Sequence, residues 1–246
     1  MPILYELLRD DYSFEEAKSL QNKFQKLIKT REESKVDNFK SIKTIAGVDV
    51  SYYNKKKVEY GVACAILWDV DQGKIEISCF AQDKINFPYK PGFLGFRECK
   101  ILAAAILKLP SPPELILCDG HGKIHPRRFG EAIHLGIALN IPTIGVAKKM
   151  FIGYSDWNRI EKFKGYKAPV WSRKPINKFK GFLNELLGYA VCLKDASNPV
   201  FVSEGYKVDI DTALNICLLT TKEHRQPEPL YLADYYSREK VKEIVQ

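Results

Sequence analysis

KTIAGVDVSYY (43–53), VEYGVACAILWD (58–69) and KIEISCFAQDKI (74–85) are three consecutive runs of β-branched, aromatic and aliphatic residues. The breaks between them are short, the second being a turn at Asp71 to Gly73, so the runs read as strands in hairpin order and pair antiparallel. Downstream the pattern changes. LILCDG (115–120) and IPTIGVAKK (141–149) are short apolar strands, separated by HPRRFGEAIHLGIALN (125–140), a helix with Pro126 in its first turn. Strand, helix, strand favours parallel neighbours. The expected fold is therefore α/β, with a central mixed sheet of three antiparallel strands followed by parallel strands, flanked by helices.

The remaining elements fit around that sheet. Residues 13–30 open with Ser13 and carry Glu16 three positions later, a capping pair ahead of a helix with Ala17, Leu20, Phe24 and Leu27 along one face. A second helix runs from about Arg97 to Leu109 and is stopped by Pro110, Pro112 and Pro113. GYAVCLKD (188–195) and PVFVSEG (199–205) are further strand candidates; a helix from about Asp209 to Thr221 and a last one after Pro227 and Pro229 complete the chain. With no internal repeat or linker, residues 1–246 are expected to form one domain.

Composition narrows the function classes. With 246 residues, 46% hydrophobic and 28% charged, the chain is of globular type and large enough to fold without a disulfide or a metal staple. No apolar run approaches the length of about 18 residues that a membrane span needs, and the opening stretch holds Glu6, Arg9, Asp10 and Asp11. The expectation is a cytoplasmic protein. Cysteines 64, 79, 99, 118, 192 and 217 lie in apolar stretches without a CxxC pair, as buried reduced thiols do. The net charge of +8 is concentrated: ten basic residues against Asp156 and Glu161 lie between Lys148 and Lys180, interleaved with Phe151, Tyr154, Trp157, Phe163, Tyr166, Trp171 and Phe179. Cations for phosphates and aromatic rings for bases make a nucleic-acid surface, although a solvated loop has the same composition.

Four carboxylates stand where apolar residues are expected. Asp49 is inside a strand, on one face with Ile45, Gly47 and Ser51. Glu98 shares a helical face with Ile101, Leu102, Ala105, Ile106 and Leu109. Asp119 ends an apolar strand, where open α/β sheets keep their ligands. Asp234 shares a helical stripe with Leu230 and Ala233. Singly, each could be a cap or an ion-pair member; together they suggest a cluster around hard cations, which oxygen ligands hold well. Asp49 on a central strand, Glu98 on a helix after the meander and Asp119 ending the fourth strand match the acid order of ribonuclease-H-like nucleases, in which two divalent ions activate water and stabilise the leaving oxygen.

With these motifs assembled, the chain resembles the endonuclease V family, nucleases that recognise deaminated adenine. The resemblance rests on IAGVDVSY (45–52), PYKPGFLGFRE (88–98), DGHGKIHPRRFGEAIHLG (119–136), IGVAKK (144–149) and PEPLYLAD (227–234), in family order. It implies a ribonuclease-H-like fold and hydrolysis of the second phosphodiester bond 3′ to a deoxyinosine, leaving 3′-hydroxyl and 5′-phosphate ends. Mg²⁺ is the implied cofactor, with Mn²⁺ as a substitute. Carried over by position, Asp49 and Asp119 would hold the metal, Glu98 and Asp234 would complete the cluster, and Lys148 would offset charge at the scissile phosphate. Pro88, Tyr89, Lys90 and Pro91 would form the wedge, with Tyr89 inserting where the damaged base leaves the stack. Gly92, Leu94 and Gly120 would line the base pocket. His125 would contact phosphate or support Asp119, and capping a helix is an equal alternative.

Three positions depart from the family's usual pattern. Lys90 replaces an apolar wedge residue, Tyr206 stands where His commonly follows Gly205, and Tyr231 stands where Arg follows PEP. The implied partner is deoxyinosine DNA bound by a monomer, and an inosine-specific ribonuclease of the same family is the alternative. A silent nucleic-acid-binding protein is a third reading, opposed by the presence of all four acids.

Overall fold

A computed structural model describes residues 3–30, 36, 39–175 and 184–246. The opening meander is β1 (Thr44–Lys55), β2 (Val58–Asp69) and β3 (Lys74–Lys84), paired antiparallel in sequence order. Lys55 pairs with Val58, so Lys56 and Lys57 make a two-residue loop and take φ of 50° and 64°, the left-handed twist such hairpins require. β4 (Leu115–Cys118) lies parallel to β1, and β5 (Thr143–Ala147) parallel to β4. Beyond β5 the sheet turns antiparallel again through β6 (Lys167–Trp171), β7 (Leu186–Val191) and β8 (Val200–Glu204), giving the order β3-β2-β1-β4-β5-β8-β7-β6. The mixed sheet expected from the sequence is present. β6 lies within the basic segment and carries Pro169, which an edge strand tolerates because its outer N–H groups are not needed for pairing.

α1 (Phe14–Thr30) starts with the capping box read from the sequence: Ser13 N–H donates to Glu16 Oε2 at 2.8 Å and Glu16 N–H to Ser13 Oγ at 3.3 Å. Two helix starts differ from expectation. α2 (Leu94–Ile106) begins at Leu94 rather than Arg97, because Gly92, at φ 84°, turns the chain straight into it. α3 (Glu131–Leu139) begins at Glu131, so Pro126 lies in a loop ahead of it. There His125 Nδ1 accepts the N–H groups of Arg127 and Phe129, at 3.2 and 3.3 Å, and Arg128 adopts φ 53°, conformations that a helix excludes. α4 (Ile210–Leu219) is capped by Asp209, and α5 (Glu228–Val245) carries Pro229 in its first turn, where no N–H is required.

Helices cover both faces of the sheet. α2 and α3 pack on Ala46, Val48, Val50, Ala63, Ala65 and Ile116, while α4 and α5 pack on Ile45, Leu115, Leu117, Ile144 and Val146. The parallel register ends with Val48 opposite Cys118 and Cys118 opposite Gly145. Asp49 and Asp119, one step further, therefore reach the C-terminal rim of the parallel strands together, with Lys148 just past the end of β5. Among the described residues all six thiols are free, five of them buried and Cys79 half-buried, and no helix is long and apolar enough to cross a membrane.

Candidate active site

Three elements bring three carboxylates to one point. Asp49 projects from β1 on the face that α5 covers, Asp119 follows β4, and Asp234 lies on the second turn of α5. One oxygen from each lies within 4.8 Å of the others. Burial, followed by the charges of Asp119, Glu98 and Asp234, pushes the Asp49 carboxyl well above the usual range. Crowded carboxylates with only oxygen donors fit a hard divalent cation, and that chemistry makes the trio a candidate metal centre.

Lys148 is the cation seated among them, with Nζ 2.6 Å from Asp119 Oδ2 and 3.9 Å from Asp234 Oδ1. Burial opposes its charge, but Asp119 and then Asp234 and Asp49 outweigh it and raise its pKa. Arg238, one helical turn after Asp234, reaches Asp234 Oδ1 at 2.7 Å from the solvent side. Ser237 Oγ donates to Asp49 Oδ2 at 3.3 Å and meets Ser51 Oγ at 2.8 Å, tying α5 to β1 at the site.

Glu98 stands behind this group on α2, where Tyr52 donates its hydroxyl to Oε1. Tyr52 is itself held by the Arg97 guanidinium, 4.6 Å over its ring, and Arg97 is anchored by Glu59 at 2.6 Å and the Phe87 carbonyl at 3.0 Å. A second buried acid, Glu131, adjoins Glu98: burial, followed by the Glu98 charge, pushes its carboxyl well above the usual range. It was not singled out from the sequence, although a charged residue opening the apolar run AIHLGIAL was its signal.

Beside the acids is a cavity of about 520 Å³. Gly92, Leu94, Gly120, Glu131, Met150 and Phe151 are part of its wall, and Asp119 and Lys148 join it to the acidic group. Tyr89 stands at its mouth, 70% exposed, with Pro88, Lys90 and Pro91 exposed around it. The Lys90 ammonium lies 4.1 Å over the Phe14 ring, which braces this turn against the start of α1. The structure thus brings Asp49, Asp119 and Asp234 together beside a cavity lined by Tyr89, Lys90, Pro91, Gly92, Leu94 and Gly120, and leaves Glu98 outside that trio, on α2.

The wall around Gly92 is clamped. Its carbonyl accepts from Gln21 Nε2 at 3.0 Å, Arg127 Nη2 at 2.6 Å and His125 Nε2 at 3.0 Å. Both His125 nitrogens are bonded within the chain and the ring is 3% exposed, so it braces the pocket instead of presenting itself to a phosphate. Burial, then the neighbouring Arg127, lowers its pKa to about 3, which keeps the ring neutral. Gln21 and Arg127 escaped the sequence reading. For Gln21 the signal was a polar residue at helical spacing from Ala17 and Phe24, on the buried stripe.

The other departures also have places. Tyr206 is 5% exposed in a cluster with Phe129, Ile133 and Ile137, and Tyr231 stacks on His224 with centroids 3.4 Å apart. In the basic segment Lys162, Phe163, Tyr166, Arg173 and Lys174 are exposed, whereas Lys178, Phe179 and Lys180 lie outside the described residues.

Comparison with known proteins gives the same answer as the geometry. The family model described as Endonuclease V matches residues 22–235. The endonuclease V of Dictyoglomus turgidum is 39% identical over 202 residues, 82% of each chain. The crystal structure of Streptomyces avermitilis endonuclease V superposes with a TM-score of 0.80 at 34% identity, covering 95% of each chain. That of Ciona intestinalis endonuclease V, in complex with a 23mer DNA containing an inosine followed by a ribo-adenosine, does so with a TM-score of 0.80 at 30% identity, covering 95% of this chain and 100% of the other. A carboxylate trio at the rim of a mixed sheet, a pocket beside it and sequence likeness along nearly the whole chain place this protein in the endonuclease V family of nucleases.

Proposed function

We propose that this protein is a metal-dependent endodeoxyribonuclease that recognises deoxyinosine and hydrolyses the second phosphodiester bond on its 3′ side, leaving 3′-hydroxyl and 5′-phosphate ends. One observation carries the reading: the Asp49, Asp119 and Asp234 oxygens within 4.8 Å of one another, continuous with a cavity of about 520 Å³ that Tyr89 overlooks. The inosine-containing DNA bound to the Ciona relative supports it.

Asp49, Asp119 and Asp234 would hold a Mg²⁺ ion, for which Mn²⁺ would substitute, with Glu98 set behind them by Tyr52. The ion supplies positive charge that lowers the pKa of water and steadies the leaving oxygen. Lys148 carries the second positive charge, placed to balance the phosphate as charge builds in the transition state. Tyr89 fills the gap left in the stack, while the Gly92, Leu94 and Gly120 backbone receives the displaced base. Gln21, Arg127 and His125 keep that backbone fixed, so that no binding energy is lost in ordering it.

The test is a denaturing gel of two end-labelled strands, one carrying deoxyinosine and one carrying riboinosine in RNA, incubated with Mg²⁺. Cutting of the DNA strand one nucleotide beyond the lesion is the expected result. Preferential cutting of the RNA would assign the site to RNA, and no cutting with either Mg²⁺ or Mn²⁺ would overturn the proposal.

A further inference from the structure

The last paired residue of β5 is Ala147, opposite Phe201, so Lys148 lies one step past the register of the sheet. Its side chain is a flexible four-carbon stem, and the direction of its ammonium depends on the backbone from which that stem starts. A guanidinium holds that backbone. Arg225 Nη2 donates to the Lys148 carbonyl at 3.1 Å and to the Pro199 carbonyl at 2.7 Å, and Nε donates to the Asn198 carbonyl at 2.9 Å. Asn198 and Pro199 immediately precede β8, the strand that pairs with β5, so the fork closes the end of this strand pair.

Arg225 is fixed from the other side. Glu228, the first residue of α5 and 6% exposed, accepts the N–H groups of Lys222, Glu223 and His224 on Oε1, at 3.1, 2.7 and 3.1 Å. The loop that carries Arg225 is therefore tied to the helix that carries Asp234. Contacts run from α5 through Glu228 and Arg225 to the Lys148 carbonyl, and they join the two segments whose side chains, Lys148 and Asp234, lie 3.9 Å apart.

Building on the function proposed above, we infer that Arg225 is a positioning residue for Lys148: by holding the Lys148 carbonyl it sets the point from which the ammonium is aimed at the scissile phosphate. The guanidinium itself is engaged by three backbone carbonyls. A charge stabilises a transition state without reorganisation only if it is held in place beforehand. A small misplacement of it costs rate more than binding.

The experiment is single-turnover cutting of a deoxyinosine duplex with Mg²⁺, and equilibrium binding of the same duplex without metal, for wild type, Arg225→Met, Lys148→Met and the double variant. Arg225→Met should cut slower than wild type by about tenfold or more while binding is nearly unchanged. In the Lys148→Met background the same substitution should cost no further rate, because the ammonium it aims is gone. Cutting by Arg225→Met at the wild-type rate would overturn the inference. So would parallel losses of rate and binding, or equal fold-losses in the two backgrounds, both of which mark a purely structural role. Where Lys148→Met cuts too slowly to be timed, the split between rate and binding in Arg225→Met decides alone. Should Arg225→Met fail to fold, Arg225→Lys takes its place under the same outcomes, since an ammonium keeps the charge but lacks the planar fork. If wild type does not cut deoxyinosine duplex, the proposed function falls together with this role; if wild type cuts and Arg225→Met cuts equally fast, only the role of Arg225 falls.

Discussion

A Cβ on Gly47 would sit 2.2 Å from the Pro229 carbonyl carbon, so β1 and the first turn of α5 are in backbone contact. This approach sets the height of α5 over the sheet and thereby the distance of Asp234 from Asp49. Gly47→Ala must push the helix outward. We expect a loss of about 1–3 kcal/mol in unfolding free energy, from overpacking, together with weaker stabilisation by Mg²⁺. Thermal melts with and without the ion check both, and a variant that melts like wild type would show that the approach is not rigid.

Tyr89 is exposed at the mouth of the pocket, and its proposed work is done only when a base has left the stack. Tyr89→Ala should weaken binding to inosine duplex by about tenfold, the worth of a stacking interaction, and undamaged duplex much less. Competition binding checks this, and equal losses on the two duplexes would refute the wedge.

His134 is fully buried, with Nε2 2.6 Å from the Leu7 carbonyl, and burial lowers its pKa from the ordinary 6.5 to about 4. Between those values the unfolded chain binds the proton and the native protein does not. Its contribution is therefore complete above pH 6.5 and is lost as pH falls towards 4, by at most about 1.4 kcal/mol per pH unit. Denaturant unfolding at pH 7.5 and pH 5 should show wild type losing more stability than His134→Gln over that interval. Equal losses would contradict the assignment. His121, lowered to about 4, and His125 act in the same direction and are common to both proteins.

Lys162, Arg173 and Lys174 are exposed in the basic segment. If they meet phosphates, replacing all three by Glu should reduce the slope of log affinity against log salt by about 0.9 for each phosphate of duplex DNA that is no longer neutralised. An unchanged slope would make this segment a solvated loop.

Much of the site was legible because carboxylates interrupt apolar patterns only under constraint. Asp49 in a strand, Glu98 on an apolar helix face and Asp119 at a strand end each announced themselves, and the meander with its parallel sequel was written in turn lengths and strand, helix, strand order. The reading failed where backbone geometry overrides pattern. His125 to Phe129 looked helical, but the bonds from two nearby amides to His125 Nδ1 fold that stretch into a loop. β6 was hidden by the charges and the proline that an edge strand accepts. Gln21 and Arg127 act through a carbonyl distant in sequence, at Gly92, a pairing that local periodicity does not encode.

Asp49, Asp119 and Asp234 are proposed to act as one metal-dependent cutting site beside an inosine pocket. The most direct test is a denaturing gel of end-labelled deoxyinosine duplex incubated with wild type or Asp49→Ala, with Mg²⁺ or with chelator, and with binding measured in parallel. One product, a nucleotide beyond the lesion, should form with wild type and Mg²⁺ alone, while Asp49→Ala keeps its binding because it only removes negative charge near a phosphate. Cleavage by Asp49→Ala at the wild-type rate, or cutting by wild type that ignores the lesion, would contradict the account.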